Sequence, residues 1–211
     1  QIAMIFQEPM TALNPVMRCG QQIEEALDRK RITSREDQKN QVIQLLEEVL
    51  IPSPQACYEK FPHELSGGQR QRVMIAMALA GQPKLLIADE PTTALDVTVQ
   101  KEILLLLKRI QAKRGMAMIF ITHDLGVVKD IADDILVMNR GDVVEYGSVD
   151  EVLHHPKEKY TQALIRCKPS PSSKGIPLPT IQRIDDPITT PIHSQPSHEV
   201  LLAVSQLIKV Y

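Results

Sequence analysis

Three short apolar runs limit what this chain can fold into more than any other feature: Ile-Ala-Met-Ile-Phe at residues 2–6, Leu-Leu-Ile-Ala at 85–88 and Ala-Met-Ile-Phe-Ile-Thr at 117–122. Each has the length and apolar content of a buried strand, and each gives way, after a loop or turn, to residues at helical spacing. Between the first two, residues 21–27 and 35–50 carry apolar positions in helix register, with Val42, Leu45, Leu46 and Val49 at i, i+3, i+4 and i+7. Pro52 and Pro54 are expected to close that region, leaving two amphipathic helices. Strong helix formers run from 70 to 80, residues 99–114 read as an amphipathic helix, and 125–132 as a short one. Strands alternating with helices imply an α/β layer with a largely parallel sheet. Residues 135–138 and 143–146, separated by Asn139-Arg140-Gly141-Asp142, read instead as a hairpin.

Composition narrows the function classes. With 211 residues, 43% of them apolar, the chain has enough material for one globular domain with a genuine core. A net charge of -2 gives no global basic field for gathering nucleic acid. Cys19, Cys57 and Cys167 are odd in number and contain no CxxC pair, which argues against a zinc site or a disulfide framework and for a reducing compartment. The longest apolar runs fall far short of the ~20 residues that a bilayer span requires. Seven of the fifteen prolines fall in residues 167–198, a Ser-rich stretch read as a linker, after which 200–204 and 207–211 resume strand-like character.

Three places could carry chemistry. The strand at 85–88 delivers Asp89 and Glu90 to its C-terminal end, where open α/β sheets place ligands. In a nucleotide site the first carboxylate can hold Mg²⁺ and the second can accept a proton from an attacking water. Taken alone, an apolar run ending in two acids is more often a strand end with solvated charges. Ser66 and Gln69 have the spacing of a capping box, so Gly67 and Gly68 fall in a helix's first turn, where N–H groups face an anion. His123 follows the third apolar run. His63, His154, His155, His193 and His198 have no such setting and are read as structural or simply exposed.

The ordered set Phe6-Gln7-Glu8-Pro9, Leu65-Ser66-Gly67-Gly68-Gln69, Leu86-Ile87-Ala88-Asp89-Glu90-Pro91, Ala94-Leu95-Asp96 and Ile121-Thr122-His123-Asp124 closely resembles the ATP-binding domain of ABC transporters. The resemblance implies a P-loop NTPase-like α/β core with a helical subdomain at about 16–80, and ATP and Mg²⁺ as ligands. It makes Gln7 the Q-loop glutamine, acting at Mg²⁺ and the attacking water. Ser66, Gly67, Gly68 and Gln69 match the signature motif, which reaches the γ-phosphate of ATP held mainly by an opposite domain. Asp89 takes the place of the metal-holding aspartate, Glu90 that of the catalytic base, Asp96 that of the D-loop aspartate at the dimer interface, and His123 that of the switch histidine.

One part of the pattern has no counterpart. No glycine among the nine is followed by Lys, so the loop G-x-x-x-x-G-K-[ST] that cradles phosphates is absent from these 211 residues. The expectation is a core lacking its N-terminal strands and P-loop, a piece of a longer protein and inactive alone. Its organisation would be a partial ATP-binding domain at 1–168, a linker at 169–198 and the start of a second ATP-binding domain at 199–211. Residues 90–100 (EPTTALDVTVQ), 155–164 (HPKEKYTQAL) and 7–15 (QEPMTALNP) resemble the oligopeptide and dipeptide importer branch. The resemblance implies transmembrane permease subunits and a second ATP-binding domain as partners, with a solute-binding protein engaged indirectly and no nucleic acid. It also implies a peripheral location on the cytoplasmic face of the inner membrane. Residues 12–17 are expected to expose Leu13, Val16 and Met17 as an apolar contact for the permease, and the leucine-rich run at 103–107 to be core. The rival readings are a soluble ABC-type ATPase acting on nucleic acid or the ribosome, and a degenerate domain without catalysis.

Overall fold

The computed structural model describes residues 2–8, 12–27, 34–93 and 95–167. The linker at 169–198 and the resumed strand character at 199–211 lie outside the described residues. Contacts divide the chain into two compact units, Gln1–Ala132 and Asp133–Tyr211.

The first unit is built on a three-stranded parallel sheet. Strands β1 (Ile2–Ile5), β2 (Leu85–Asp89) and β3 (Ala117–Ile121) lie in the order β1-β2-β3, with Ile5 opposite Ala88 and Ala88 opposite Phe120. All three apolar runs are therefore strands, and in a parallel sheet their C-terminal ends emerge side by side. Between β1 and β2 come α1 (Cys19–Ala26), α2 (Arg35–Glu48), α3 (Pro54–Glu59), a 3₁₀ turn (Pro62–Glu64) and α4 (Gly67–Ala80). Helix α5 (Val97–Arg114) joins β2 to β3, and α6 (Leu125–Ile131) follows β3.

Helix α4 is the centre of this unit. It packs on β1, α1, α2 and α5, and it buries Val73, Met74, Ile75, Ala76, Leu79 and Ala80. A helix apolar on most of its circumference is stable only when surrounded in this way. The stripe Val42, Leu45, Leu46 and Val49 is buried as its spacing predicts. One face of the sheet meets this core through Ile5, Leu86 and Ala88, while Ile2 and Met4 of β1 and Ile119 and Ile121 of β3 are exposed.

Three local expectations are corrected. Pro54 opens a helix rather than ending the region: it occupies the first turn of α3, where a missing N–H costs nothing because that group has no helical partner. The run at 103–107 is core at Ile103, Leu106 and Leu107, but Leu105 is 60% exposed, because one residue in such a run falls on the outer face of α5. In the loop at 12–17, Val16 is exposed, Met17 is half-buried and Leu13 is buried in the core, so the anticipated apolar patch is smaller.

The second unit contains the expected hairpin. Strands β4 (Asp134–Asn139) and β5 (Asp142–Ser148) pair antiparallel, with Ile135 opposite Gly147 and Asn139 opposite Asp142. Helices α7 (Val149–His154) and α8 (Lys159–Arg166) follow. Ser148 caps α7 by accepting from the Glu151 N–H. Among the described residues no helix is long and apolar enough to cross a membrane.

Candidate functional site

The site is made where the parallel strands end, within the first unit. Gln7 lies two residues beyond β1, Glu90 one beyond β2 and His123 two beyond β3, so the register that aligns Ile5, Ala88 and Phe120 delivers all three to one edge of the sheet. The Glu90 N–H donates to the Ile121 carbonyl at 3.0 Å, and Pro91, which has no N–H, cannot extend the ladder further. Glu90 adopts φ +42°, a left-handed conformation that costs a non-glycine residue about 1–3 kcal/mol and persists only where its surroundings hold it.

Three side chains converge on the Glu90 carboxylate. Gln7 Nε2 donates to Oε2 at 2.8 Å, Thr93 Oγ1 donates to the same oxygen at 2.9 Å, and His123 Nδ1 lies 2.8 Å from Oε1. Contact with His123, followed by the hydroxyl of Thr93 and more weakly the amide of Gln7, holds the Glu90 carboxyl below the ordinary glutamate range. Glu90 in turn raises His123 above the ordinary histidine range, chiefly through their hydrogen bond. His123 is 76% exposed on its side chain, whereas that of Glu90 is 21% exposed. Asp89 is half-buried as the last residue of β2, opposite Ile121.

The second group of expected residues forms at two helix starts. Ser66 is the N-cap of α4: its Oγ accepts from the Gln69 N–H at 3.3 Å and its own N–H donates to Gln69 Oε1 at 3.1 Å. The capping box read from the sequence is thus formed in full, with Gly67 and Gly68 in the first turn. Asp96 caps α5 by accepting from the Val99 N–H at 3.0 Å. The two helix starts are close: a Cβ added to Gly68 would lie 2.8 Å from Val99 Cγ1, which is why glycine is needed there. Turns from Glu90 through Thr93 and Leu95 carry the chain from the carboxylate cluster to Asp96, through Thr93 N–H to Glu90 carbonyl (3.1 Å) and Leu95 N–H to Thr92 carbonyl (3.3 Å).

Gln7, Glu90 and His123 are therefore in direct contact, and Asp89 is adjacent along the strand. Ser66, Gly67, Gly68, Gln69 and Asp96 form a second group, at the adjoining starts of α4 and α5. Thr93 was missed in the sequence. The only signal for it was a hydroxyl three residues after the acid pair, a position meaningful only once the turn at Glu90 is known. His63 stacks on Phe61 at 5.7 Å, as a structural histidine does. Among the described residues no group of three or more His, Cys, Asp or Glu side chains assembles to hold a metal by itself. A Mg²⁺ bound with a nucleotide does not need one, because one or two protein oxygens and the phosphates suffice.

A parallel sheet with an acid pair, a glutamine and a histidine at its C-terminal edge fits the P-loop NTPase fold of the ABC ATPase cassettes that the chain resembles. Residues 1–93 match the family described as ABC transporter, and likeness to ATP-binding proteins of ABC importers extends over most of the chain. It is 54% identical over 175 residues to the oligopeptide transport ATP-binding protein OppD of Bacillus subtilis (strain 168), which covers 83% of this chain and 49% of that protein. It is 51% identical over 179 residues to the glutathione import ATP-binding protein GsiA of Escherichia coli (strain K12), covering 84% of this chain and 29% of that protein. The chain thus spans about half the length of the first relative and under a third of the second. Among solved structures, cbiO1 from Clostridium perfringens, part of the ABC transporter complex cbiONQ, matches with a TM-score of 0.64 and 32% identity, covering 73% of this chain and 59% of that one. The ATP-binding cassette MJ0796, in a dimeric post-hydrolysis state bound to ADP and Pi, matches with a TM-score of 0.62 and 29% identity, covering 71% and 63%.

Proposed function

We propose that these residues are part of an ATP-hydrolysing subunit that powers an ABC importer of peptides or similar small solutes. The observation that carries this reading is the convergence of Gln7 and His123 on the Glu90 carboxylate at the sheet's C-terminal edge. The likeness to OppD and GsiA supports the cargo class.

Glu90 is the general base that takes a proton from the water attacking the γ-phosphate. Its carboxyl, held below the ordinary glutamate range, is ionised at neutral pH and so in the accepting form, and its basicity rises as the hydrogen bonds that lower it are released. Asp89 and Gln7 would supply oxygens to hold Mg²⁺, which when bound would neutralise phosphate charge. His123, raised in pKa and exposed, presents an N–H to a phosphate oxygen. Ser66, Gly67, Gly68 and Gln69 offer hydroxyl and N–H donors at a helix N-terminus to the γ-phosphate of ATP held mainly by a second ATP-binding domain, fused or separate, and Asp96 lies at that interface. Transmembrane permease subunits are the direct partners and a solute-binding protein is engaged indirectly, which places the subunit peripherally on the cytoplasmic face of the inner membrane. The proposed organisation remains a partial ATP-binding domain at 1–168, a linker at 169–198 and a second domain's start at 199–211. Because these 211 residues contain no phosphate-cradling loop, they hydrolyse no ATP alone.

The test is Glu90→Gln in a protein that joins this domain to a phosphate-binding loop. Turnover should fall by about 10²–10⁴-fold, the scale of general base catalysis. Near-normal hydrolysis removes Glu90 from the role, and Mg²⁺-dependent turnover by the 211-residue chain alone overturns the inactivity. Co-purification with ribosomes or nucleic acid in place of two membrane subunits would sink the importer reading.

A further inference from the structure

We propose that Thr93 is a positioning residue that fixes the plane of the Glu90 carboxylate, engaging Oε2 so that Oε1 is the oxygen left to take the proton. The inference rests on the reading of Glu90 as the base. Of the three side chains on that carboxylate, two arrive from other strands, 83 and 33 residues away in sequence, and His123 is largely exposed. Thr93 is different. It sits in the same turn as Glu90, with its N–H bonded to the Glu90 carbonyl at 3.1 Å, and its hydroxyl reaches Oε2 at 2.9 Å.

Its side chain is β-branched with a single heavy-atom torsion, so few rotamers compete with the one that donates. Gln7 must order three torsions to reach the same oxygen. Thr93 therefore holds the carboxylate whether or not the longer side chains are engaged elsewhere. An oxygen that accepts two hydrogen bonds is the less basic of the pair. Gln7 and Thr93 both donate to Oε2, while His123 alone meets Oε1, and departure of that exposed imidazole frees a lone pair in a fixed direction. The left-handed backbone of Glu90 is what brings residue 93 back within reach of residue 90's side chain.

Thr93→Val removes the hydroxyl at nearly constant shape, and Thr93→Ser keeps it. In the 211-residue chain at neutral pH, the side-chain carboxyl ¹³C resonance of Glu90 should move in the Val variant, as the hydrogen bond from Thr93 is lost, and return in the Ser variant. An unshifted Glu90 in Thr93→Val overturns the proposal. In the hydrolysing protein that includes the phosphate-binding loop, Thr93→Val should lower kcat roughly tenfold, the scale of one hydrogen bond, with KM unchanged and kcat restored in Thr93→Ser. Normal kcat in Thr93→Val alongside an inert Glu90→Gln overturns the positioning role and leaves the base in place. Retained turnover in Glu90→Gln overturns the base, and with it the catalytic consequence of Thr93, even where the Glu90 resonance still moves in Thr93→Val.

Discussion

The two groups of motif residues are held in opposite ways. At the helix starts the capping hydrogen bonds are local: Ser66 with Gln69 and Asp96 with Val99 span three residues each. At the strand ends two of the three hydrogen bonds to Glu90 are remote, Gln7 and His123 reaching it across 83 and 33 residues. The first group exists as soon as α4 and α5 form, whereas the second exists only when three strands pair in one register. Capping is thus a property of a segment, and the carboxylate cluster is a property of the fold.

That contrast can be broken most severely from the shared support beneath both groups. Leu79 is fully buried on α4, and Leu79→Ala should cost about 2–5 kcal/mol, read as a lowered urea midpoint, with the Gln7, Glu90 and His123 resonances shifting together. A loss well under 1 kcal/mol would mean that α4 is not the common support. Next in size is Gly68→Ala, where the added methyl meets Val99 Cγ1. A shift of that side chain should cost about 1–3 kcal/mol and disturb the Asp96 cap while leaving the Glu90 titration alone.

Ser66→Ala sharpens the comparison by removing one cap, at about 1 kcal/mol. Its effect on amide exchange should stay within the first turn of α4, and spread to His123 would contradict the local character of that group.

The smallest effect is electrostatic. The folded-state pKa of His123 is raised, so its contribution is complete below its ordinary 6.5 and disappears as pH rises through the folded value. The Glu90 pKa is lowered, so its contribution is complete above its ordinary 4.5 and disappears as pH falls through the folded value. The pair therefore stabilises fully only between about pH 4.5 and 6.5, and weakly, since solvent screens so exposed a histidine. Glu90→Gln should return the His123 titration toward 6.5, and an unmoved titration would deny the coupling.

The same division explains what could be read from the sequence. The three strands, the α4 capping box and the hairpin are local patterns, and all three were legible. The residues of the carboxylate cluster could be named only through a family likeness, because nothing within residues 1–10 says that Gln7 will face Glu90. Thr93 escaped altogether, since its role depends on the left-handed turn at Glu90. Pro54 misled because the same missing N–H that breaks a helix interior suits a helix start. Leu13 and Leu105 misled because loop and run positions do not reveal which side faces the core.

At the end of α5 remote from its Asp96 cap, Arg114 grips Glu48 and donates to the Leu79 carbonyl at 3.2 Å, while Lys113 reaches the same glutamate at 3.1 Å. This ties the tail of α5 to the tails of α2 and α4. Two rods pinned together at one end and touching at the other are braced along their length, so the seating of Gly68 against Val99 depends in part on residues at the far ends of both helices.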